Sequence, residues 1–221
     1  MEIIRSDAAK KITGITQQIK NADRVNVAVD GRYAFSLTVG QVVDLGLKIG
    51  QEVDEAKLAE LENASEFGKV YQRALEYALM RPRSVREVKD YLWRKGLDKK
   101  LADGRIKKGV DPEMAEKILD KLISAGYLDD KRFAEFWVEN RMQKKGISER
   151  RLRMELMKKG VDSGIIEEVF SRSARSDAEE IQKIILKKRR RYTDEKLVAY
   201  LVGQGFGYHE AKEAMEKRGE T

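Results

Sequence analysis

The stretch Ser84–Leu97, SVREVKDYLWRKGL, sets a pattern that returns as Ser148–Val161, SERRLRMELMKKGV, and as Thr193–Phe206, TDEKLVAYLVGQGF. Four residues after the leading hydroxyl come Val88, Leu152 and Leu197; eight after it come Leu92, Leu156 and Leu201. Twelve after it come Gly96, Gly160 and Gly205, followed at once by Leu97, Val161 and Phe206. Five matched columns in three copies mark an internal repeat. Each copy reads as a hydroxyl N-cap, about three turns of helix with an apolar residue every fourth position, and a glycine C-cap with an apolar residue behind it. Ser84-Val85-Arg86-Glu87 has the composition of a full capping box, which the other copies lack.

Helical periodicity flanks each copy. Upstream lie Val70–Met80, Lys131–Met142 and Ala178–Lys188; downstream lie Glu113–Ala125, Ile165–Ser171 and Glu210–Lys217. The unit is therefore a three-helix module used three times, expected at residues 66–126, 127–174 and 175–221. The offset between the first two copies is 64 before the glycine and 51 after it, so the first carries an insert at 97–109. The insert contains Lys99, Lys100, Arg105, Lys107 and Lys108 and ends in a second Lys-Gly-Val. Small modules stacked in line have much surface for little core, which suits a long partner surface.

Residues 1–65 read differently, as a small β-rich subdomain. Val25, Val27 and Val29, then Tyr33, Phe35 and Leu37, alternate around Asp30-Gly31. A two-residue loop would put the apolar sets on opposite faces. A three-residue loop, Val29 to Gly31, pairs Val27 with Tyr33 and Val25 with Phe35 and is the expected form. Ile12, Ile15 and Ile19 supply a further strand, and a short helix around Gln41–Leu45 leads to an extended piece at Leu47–Val53. The fold class is mainly α: three tandem three-helix repeats in an elongated array, with a small β-rich N-terminal subdomain.

Composition narrows the function classes. Charged residues are 38% of the chain, against about 25% in an ordinary domain, so the surface is heavily solvated. No run approaches the roughly 18 apolar residues of a membrane span, which points to a cytoplasmic location and no membrane partner. With no cysteine and one histidine, thiol chemistry and a structural zinc site have no residues to use. Net charge runs from −2 over residues 1–65 through +3 over 66–140 to +6 over 141–221, a gradient suited to an anionic partner at the C-terminal half. Gly203-Gln204-Gly205-Phe206-Gly207 follows a helix rather than a strand, so it is a cap and not a phosphate loop. Asp129-Asp130 precedes a helix and reads as its N-cap rather than a metal site; His209 reads as an exposed or capping residue. Nothing pairs a nucleophile with a base, so no catalytic, cofactor or metal residues are expected and the chain reads as a non-enzyme.

The run Gly126-Tyr127-Leu128-Asp129-Asp130-Lys131-Arg132-Phe133-Ala134, continuing through Trp137-Val138 to Arg141 and on to Leu152–Val161, resembles the RecX family of bacterial recombination regulators. Arg81-Pro82-Arg83-Ser84, with Val88, Tyr91-Leu92 and Lys95-Gly96, is similar to that family's first repeat. The resemblance covers roughly residues 68–218; residues 1–65 resemble the N-terminal extension of longer members. The insert at 97–109 departs from the common repeat. What the resemblance implies is a protein that binds the RecA recombinase filament on single- or double-stranded DNA, and that limits filament extension, ATP hydrolysis and strand exchange. The roles implied are in DNA recombination, repair and the SOS response.

A basic cluster precedes each middle-helix cap: Arg81 and Arg83; Lys144 and Lys145; Arg189, Arg190 and Arg191. Added to the free N–H groups of a helix N-terminus, such a cluster is a natural anion site, and like packing would turn all three the same way. Arg150, Arg151 and Arg153 extend the stripe. Lys158 and Lys159 read as dipole compensation at a helix end, Tyr91 and Tyr200 as core or groove lining, and Trp93 and Trp137 as packing residues. A monomer suffices for this arrangement. The competing class is a helix-turn-helix protein reading DNA without the recombinase, but the third helices begin with Glu113, Ile165-Ile166 and Glu210, poor material for a major groove.

Overall fold

The alternating valines do form strands, and the computed structural model, which describes residues 9–216, shows how they are joined. Strands β1 (Lys10–Gln17), β2 (Arg24–Val29), β3 (Arg32–Thr38) and β4 (Glu52–Val53) make one antiparallel sheet in the order β3-β2-β1-β4. The β2–β3 connection corrects the expected three-residue loop. Val29 pairs with Arg32, so the loop is Asp30-Gly31 alone, with φ of 49° and 77°. Two positive φ values are those of a type I′ turn, whose twist matches paired strands. Next, Ala28 faces Tyr33 while Val27 faces Phe35, leaving Ala34 as a bulge. The bulge shifts β3 by one residue, so Phe35 and Leu37 join Val25 and Val27 in the core and Tyr33 turns out to solvent. The burial requirement that favoured a longer loop is met by the bulge. Of the three isoleucines, Ile12 and Ile15 lie in β1, whereas Ile19 falls beyond it and is fully exposed.

After the short helix α1 (Val39–Asp44), the long helix α2 (Glu55–Leu79) starts far upstream of the expected Val70. Its first turns belong to the sheet: Leu61 is in the same core as Ile12, Val27 and Phe35, and Ser65 donates to the Ser36 carbonyl at 2.6 Å. Its later turns supply Val70, Ala74 and Ala78 to the first helical core. Residue 65, where the first subdomain was expected to end, therefore lies inside one continuous helix. A chain beginning at Asp54 keeps the cap of α2, whose carboxylate accepts from the Lys57 N–H at 2.7 Å. It is expected to unfold cooperatively with its helical far-ultraviolet signal retained. A chain beginning at residue 66 loses about three turns of α2 and should melt at a lower temperature. Equal midpoints for the two truncations would contradict a structural role for those turns.

The remaining helices are α3 (Val85–Gly96), α4 (Pro112–Ser124), α5 (Asp130–Asn140), α6 (Glu149–Lys158), α7 (Ser163–Arg172), α8 (Asp177–Lys188), α9 (Asp194–Gly203) and α10 (Tyr208–Glu216). They pack around three cores: the end of α2 with α3 and α4, then α5–α7, then α8–α10. The repeated columns Val88, Leu152, Leu197 and Leu92, Leu156, Leu201 are all buried. The accessible surface, 15191 Å², far exceeds the roughly 10,000 Å² of a compact globule of 25.4 kDa, as modules in line require.

The caps diverge from the common pattern where the insert intervenes. Gly160 (φ 79°) and Gly205 (φ 95°) end α6 and α9 in the left-handed conformation, and Val161 and Phe206 fold back into their cores. Gly96 does not play that part. The chain leaves α3 at Leu97, which is 52% exposed, and forms a ribbon of β5 (Lys99–Lys100) and β6 (Ile106–Lys107). It returns at Gly109, and Val110 takes the core position expected of Leu97. The second Lys-Gly-Val is thus the true end of the motif. The base of the ribbon is tight: a Cβ on Gly109 would lie 1.9 Å from the Gly96 carbonyl oxygen.

Candidate partner-binding surface

A middle-helix N-terminus was expected to wait for an external anion. In the first two modules the next module supplies one. At the start of α3, Ser84 Oγ accepts from the Glu87 N–H (3.1 Å), and Asp130, the first residue of α5, accepts from the Val85 N–H (2.8 Å). At the start of α6, Ser148 Oγ accepts from the Arg151 N–H (3.3 Å), and Asp177, the first residue of α8, accepts from the Glu149 N–H (2.8 Å). Both joints also bring a terminal glycine onto the preceding N-terminus. A Cβ on Gly160 would come within 2.9 Å of Arg86, and one on Gly205 within 2.7 Å of Ser148 Oγ. The end of each later middle helix therefore abuts the beginning of the one before it.

Buried carboxylates tie the joints. Glu87 does not close a capping box; its side chain binds Arg81 (3.0 Å) and, across the joint, Lys159. Burial pushes its carboxyl up, but hydrogen bonds and charge from Arg81 and Lys159 outweigh that and hold it below the ordinary carboxylate value. Glu180, 1% exposed, accepts from Arg175 Nε and Nη2 at 2.9 Å each, from Lys183 at 2.6 Å and from the Ile147 N–H at 3.0 Å. Burial again pushes up, and these partners again win. Asp130 and Asp177 shift the other way, raised chiefly by burial. Lys159, read as simple dipole compensation, is in fact a joint residue.

This arrangement divides the ten sequence-derived basic candidates. Arg81 faces Glu87. Arg83 lies 3.7 Å over the Tyr77 ring and donates to that residue's carbonyl and hydroxyl, with its side chain only 13% exposed. Arg151 donates to Gln204 (2.6 Å), and Arg153 bridges Glu149 (2.8 Å) and Glu167 with its guanidinium 4.4 Å from the Phe170 ring. Like packing does not turn every cluster outward: these four hold the molecule together. Lys144, Lys145, Arg150, Arg189, Arg190 and Arg191 are exposed and make no ion pair among the described residues.

Five of those six are brought together by a contact invisible in the sequence. The loop before α6 presses onto α8, where a Cβ on Gly146 would meet the Glu180 carbonyl at 2.5 Å. Lys187, on the last turn of α8, donates to the Lys144 carbonyl. Lys144 and Lys145 thus sit beside Lys187, two residues before Arg189-Arg190-Arg191. At this third module Thr193 makes no side-chain cap bond among the described residues. Arg150 lies apart, in a groove of about 600 Å³ with Arg151, Met154, Lys158 and Gly205. Lys187 was missed because a lysine in a last helical turn is ordinary.

Other readings are settled by position. Asp129 does N-cap α5, accepting from the Lys131 (2.8 Å) and Arg132 (3.1 Å) N–H groups, and His209 is exposed. Tyr91 stacks half-buried on Tyr77, centroids 4.4 Å apart, and Tyr200 packs against Tyr192. Trp137 packs as expected, with Nε1 on Glu155 at 3.1 Å. Trp93 does not: it is 65% exposed. No described helix is long and apolar enough to cross a membrane.

Two family models match segments of the chain. Residues 129–169 match the family model described as RecX, second three-helix domain, and residues 10–54 match the regulatory protein RecX N-terminal domain. A regulatory protein RecX of Bacillus licheniformis is 31% identical over 214 residues, 93% of this chain and 76% of that protein. One of Clostridium botulinum (strain Alaska E43 / Type E3) is 29% identical, covering 94% of this chain and 95% of its own length. The fold is that of a crystal structure of regulatory protein RecX, with a TM-score of 0.67 at 24% identity, covering 94% of this chain and 99% of that one. With a β-rich start, repeated three-helix modules and relatives matched along nearly its whole length, the chain belongs to the RecX family of regulatory proteins.

Proposed function

We propose that the chain binds the RecA recombinase filament on DNA in the cytoplasm, without chemistry of its own, and restrains filament growth, ATP hydrolysis and strand exchange. Family membership supports the partner class. The single structural observation that supports the mode is the meeting of Lys144 and Lys145 with Lys187 and Arg189–Arg191 at the joint of the last two modules. Arg81, Arg83, Arg151 and Arg153 are engaged within the molecule, whereas the lysines and arginines that meet here are exposed and carry no ion pair among the described residues. A filament repeats its subunits along a line, and a line of modules can follow it. The helix-turn-helix alternative gains nothing from the structure, because α4, α7 and α10 begin with Pro112-Glu113, Ser163-Gly164 and Tyr208-His209.

The test is recombinase ATP hydrolysis on single-stranded DNA with increasing amounts of this protein. Substoichiometric protein is expected to slow hydrolysis, since blocking growth at one point affects many subunits. Unchanged hydrolysis at equimolar protein would overturn the proposal.

A further inference from the structure

The insert is the one part of the first module without counterpart in the other two, and its charges are unevenly satisfied. Asp98 is used by Lys108 (3.0 Å) and by the Gly109 N–H (3.0 Å), and Asp103 by Arg105 (2.7 Å). Lys99, Lys100 and Lys107 are exposed and have no ion pair among the described residues. Lys99 and Lys107 are direct cross-strand partners, a like-charge opposition that costs stability in the free protein and that an anion would relieve. The close approach of Gly109 to Gly96 seats the ribbon firmly on the end of α3. Next to it, Trp93 and Leu97 line an open groove with Pro112, and Leu97 is two residues from Lys99. The positions equivalent to Trp93 are Met157 and Val202, so the exposed indole occurs only where the ribbon does. In the second module the same groove is closed by Arg153 lying across to Glu167 and Phe170.

We infer that the β5–β6 ribbon and Trp93 form a binding site for single-stranded nucleic acid, with Lys99, Lys100 and Lys107 on phosphates and the indole stacked on an unpaired base. Clustered ammonium groups beside a free aromatic face are the two components of such sites. A duplex hides its base faces, so the single strand is the form that uses both. The site stands apart from the recombinase reading, and its primary test uses an oligonucleotide without recombinase.

The probe is a fluorescent oligothymidylate of about 15 nucleotides, read by anisotropy against the full-length protein over a salt series. K99E/K100E/K107E is expected to bind more than tenfold more weakly and to flatten the log affinity–log salt slope by about 2, from three lost phosphate contacts. W93A is expected to weaken binding about tenfold with the slope unchanged, because stacking releases no counterions. A third variant joins Gly96 directly to Val110, reproducing the Lys159-Gly160-Val161 connection that the second module uses without a ribbon. Melting curves confirm that each variant is folded. The inference is overturned if the wild type does not bind the oligonucleotide, or if the lysine variant keeps its affinity and slope. Equal losses on duplex and single strand would overturn it as well, as would a loss seen only toward DNA-free recombinase, which would mark an acidic protein surface as the ligand.

Discussion

Reversing Arg189, Arg190 and Arg191 to Glu is expected to weaken binding to the recombinase–DNA filament on the order of a hundredfold at low salt, and to flatten its salt dependence by about 2–3. The substitution takes the formal net charge from +7 to +1. The fold should persist, because the three side chains are exposed and unpaired among the described residues while Leu197 and Leu201 stay fully buried. Reversal of Lys144 and Lys145 should weaken the same binding, since the Lys187 contact joins both clusters into one surface. Arg81 and Arg83 are not suitable probes of this surface, because they serve Glu87 and Tyr77. Lys48 and Lys57 in the N-terminal part provide the charge control; Lys57 already pairs with Glu60 at 2.8 Å. Their reversal lowers the net charge without touching the patch, so an equal loss there would identify bulk charge as the cause.

Replacing Glu180 by Ala should produce the largest loss of stability, about 3–5 kcal/mol, because it strands a buried partner. Arg175 is 12% exposed and would lose its only carboxylate among the described residues, while the Ile147 N–H would lose its acceptor. A fall of roughly 10 °C in the thermal midpoint is expected. The pH dependence follows from the direction of the shift. Glu180 sits below its ordinary value, so its contribution is present above the unfolded pKa, about 4.3, and disappears as pH falls through the folded value. Asp177 has the opposite sign: its pKa is raised, so its contribution is full below about pH 4 and is lost as pH rises through the folded value. The wild type should therefore lose stability mainly below about pH 4, and the Glu180→Ala protein should show a shallower acid limb. Parallel melting curves against pH in the two proteins would contradict this joint.

The module plan was legible because a helix writes its cap, its buried face and its stop within about fourteen residues, and the chain writes them three times. The buried columns at Val88, Leu152 and Leu197 followed directly from that spacing. What stayed hidden required contacts between distant segments. Asp130 looked like half of a capping pair, and only packing shows it closing the N-terminus of α3, 45 residues away. Glu87 looked like the fourth residue of a capping box, and burial beside Lys159 gives it a different task. That same contact turns Arg81 inward, so a basic cluster that reads as a partner site is a joint. At the hairpin, burial argued correctly for one apolar face, but periodicity cannot distinguish a longer loop from a tight turn with a bulge at Ala34. The insert misled similarly: Leu97 follows its glycine as Val161 and Phe206 do, yet Val110 completes the core after the ribbon returns.

The most direct test follows recombinase ATP hydrolysis on single-stranded DNA with three proteins side by side: the wild type, the Arg189–Arg191 reversal and the Lys48/Lys57 reversal. The account predicts that the wild type and the Lys48/Lys57 protein slow hydrolysis alike at substoichiometric amounts, whereas the arginine reversal leaves the rate unchanged at the same concentration. Equal inhibition by all three would contradict the assignment of filament binding to the joint of the last two modules.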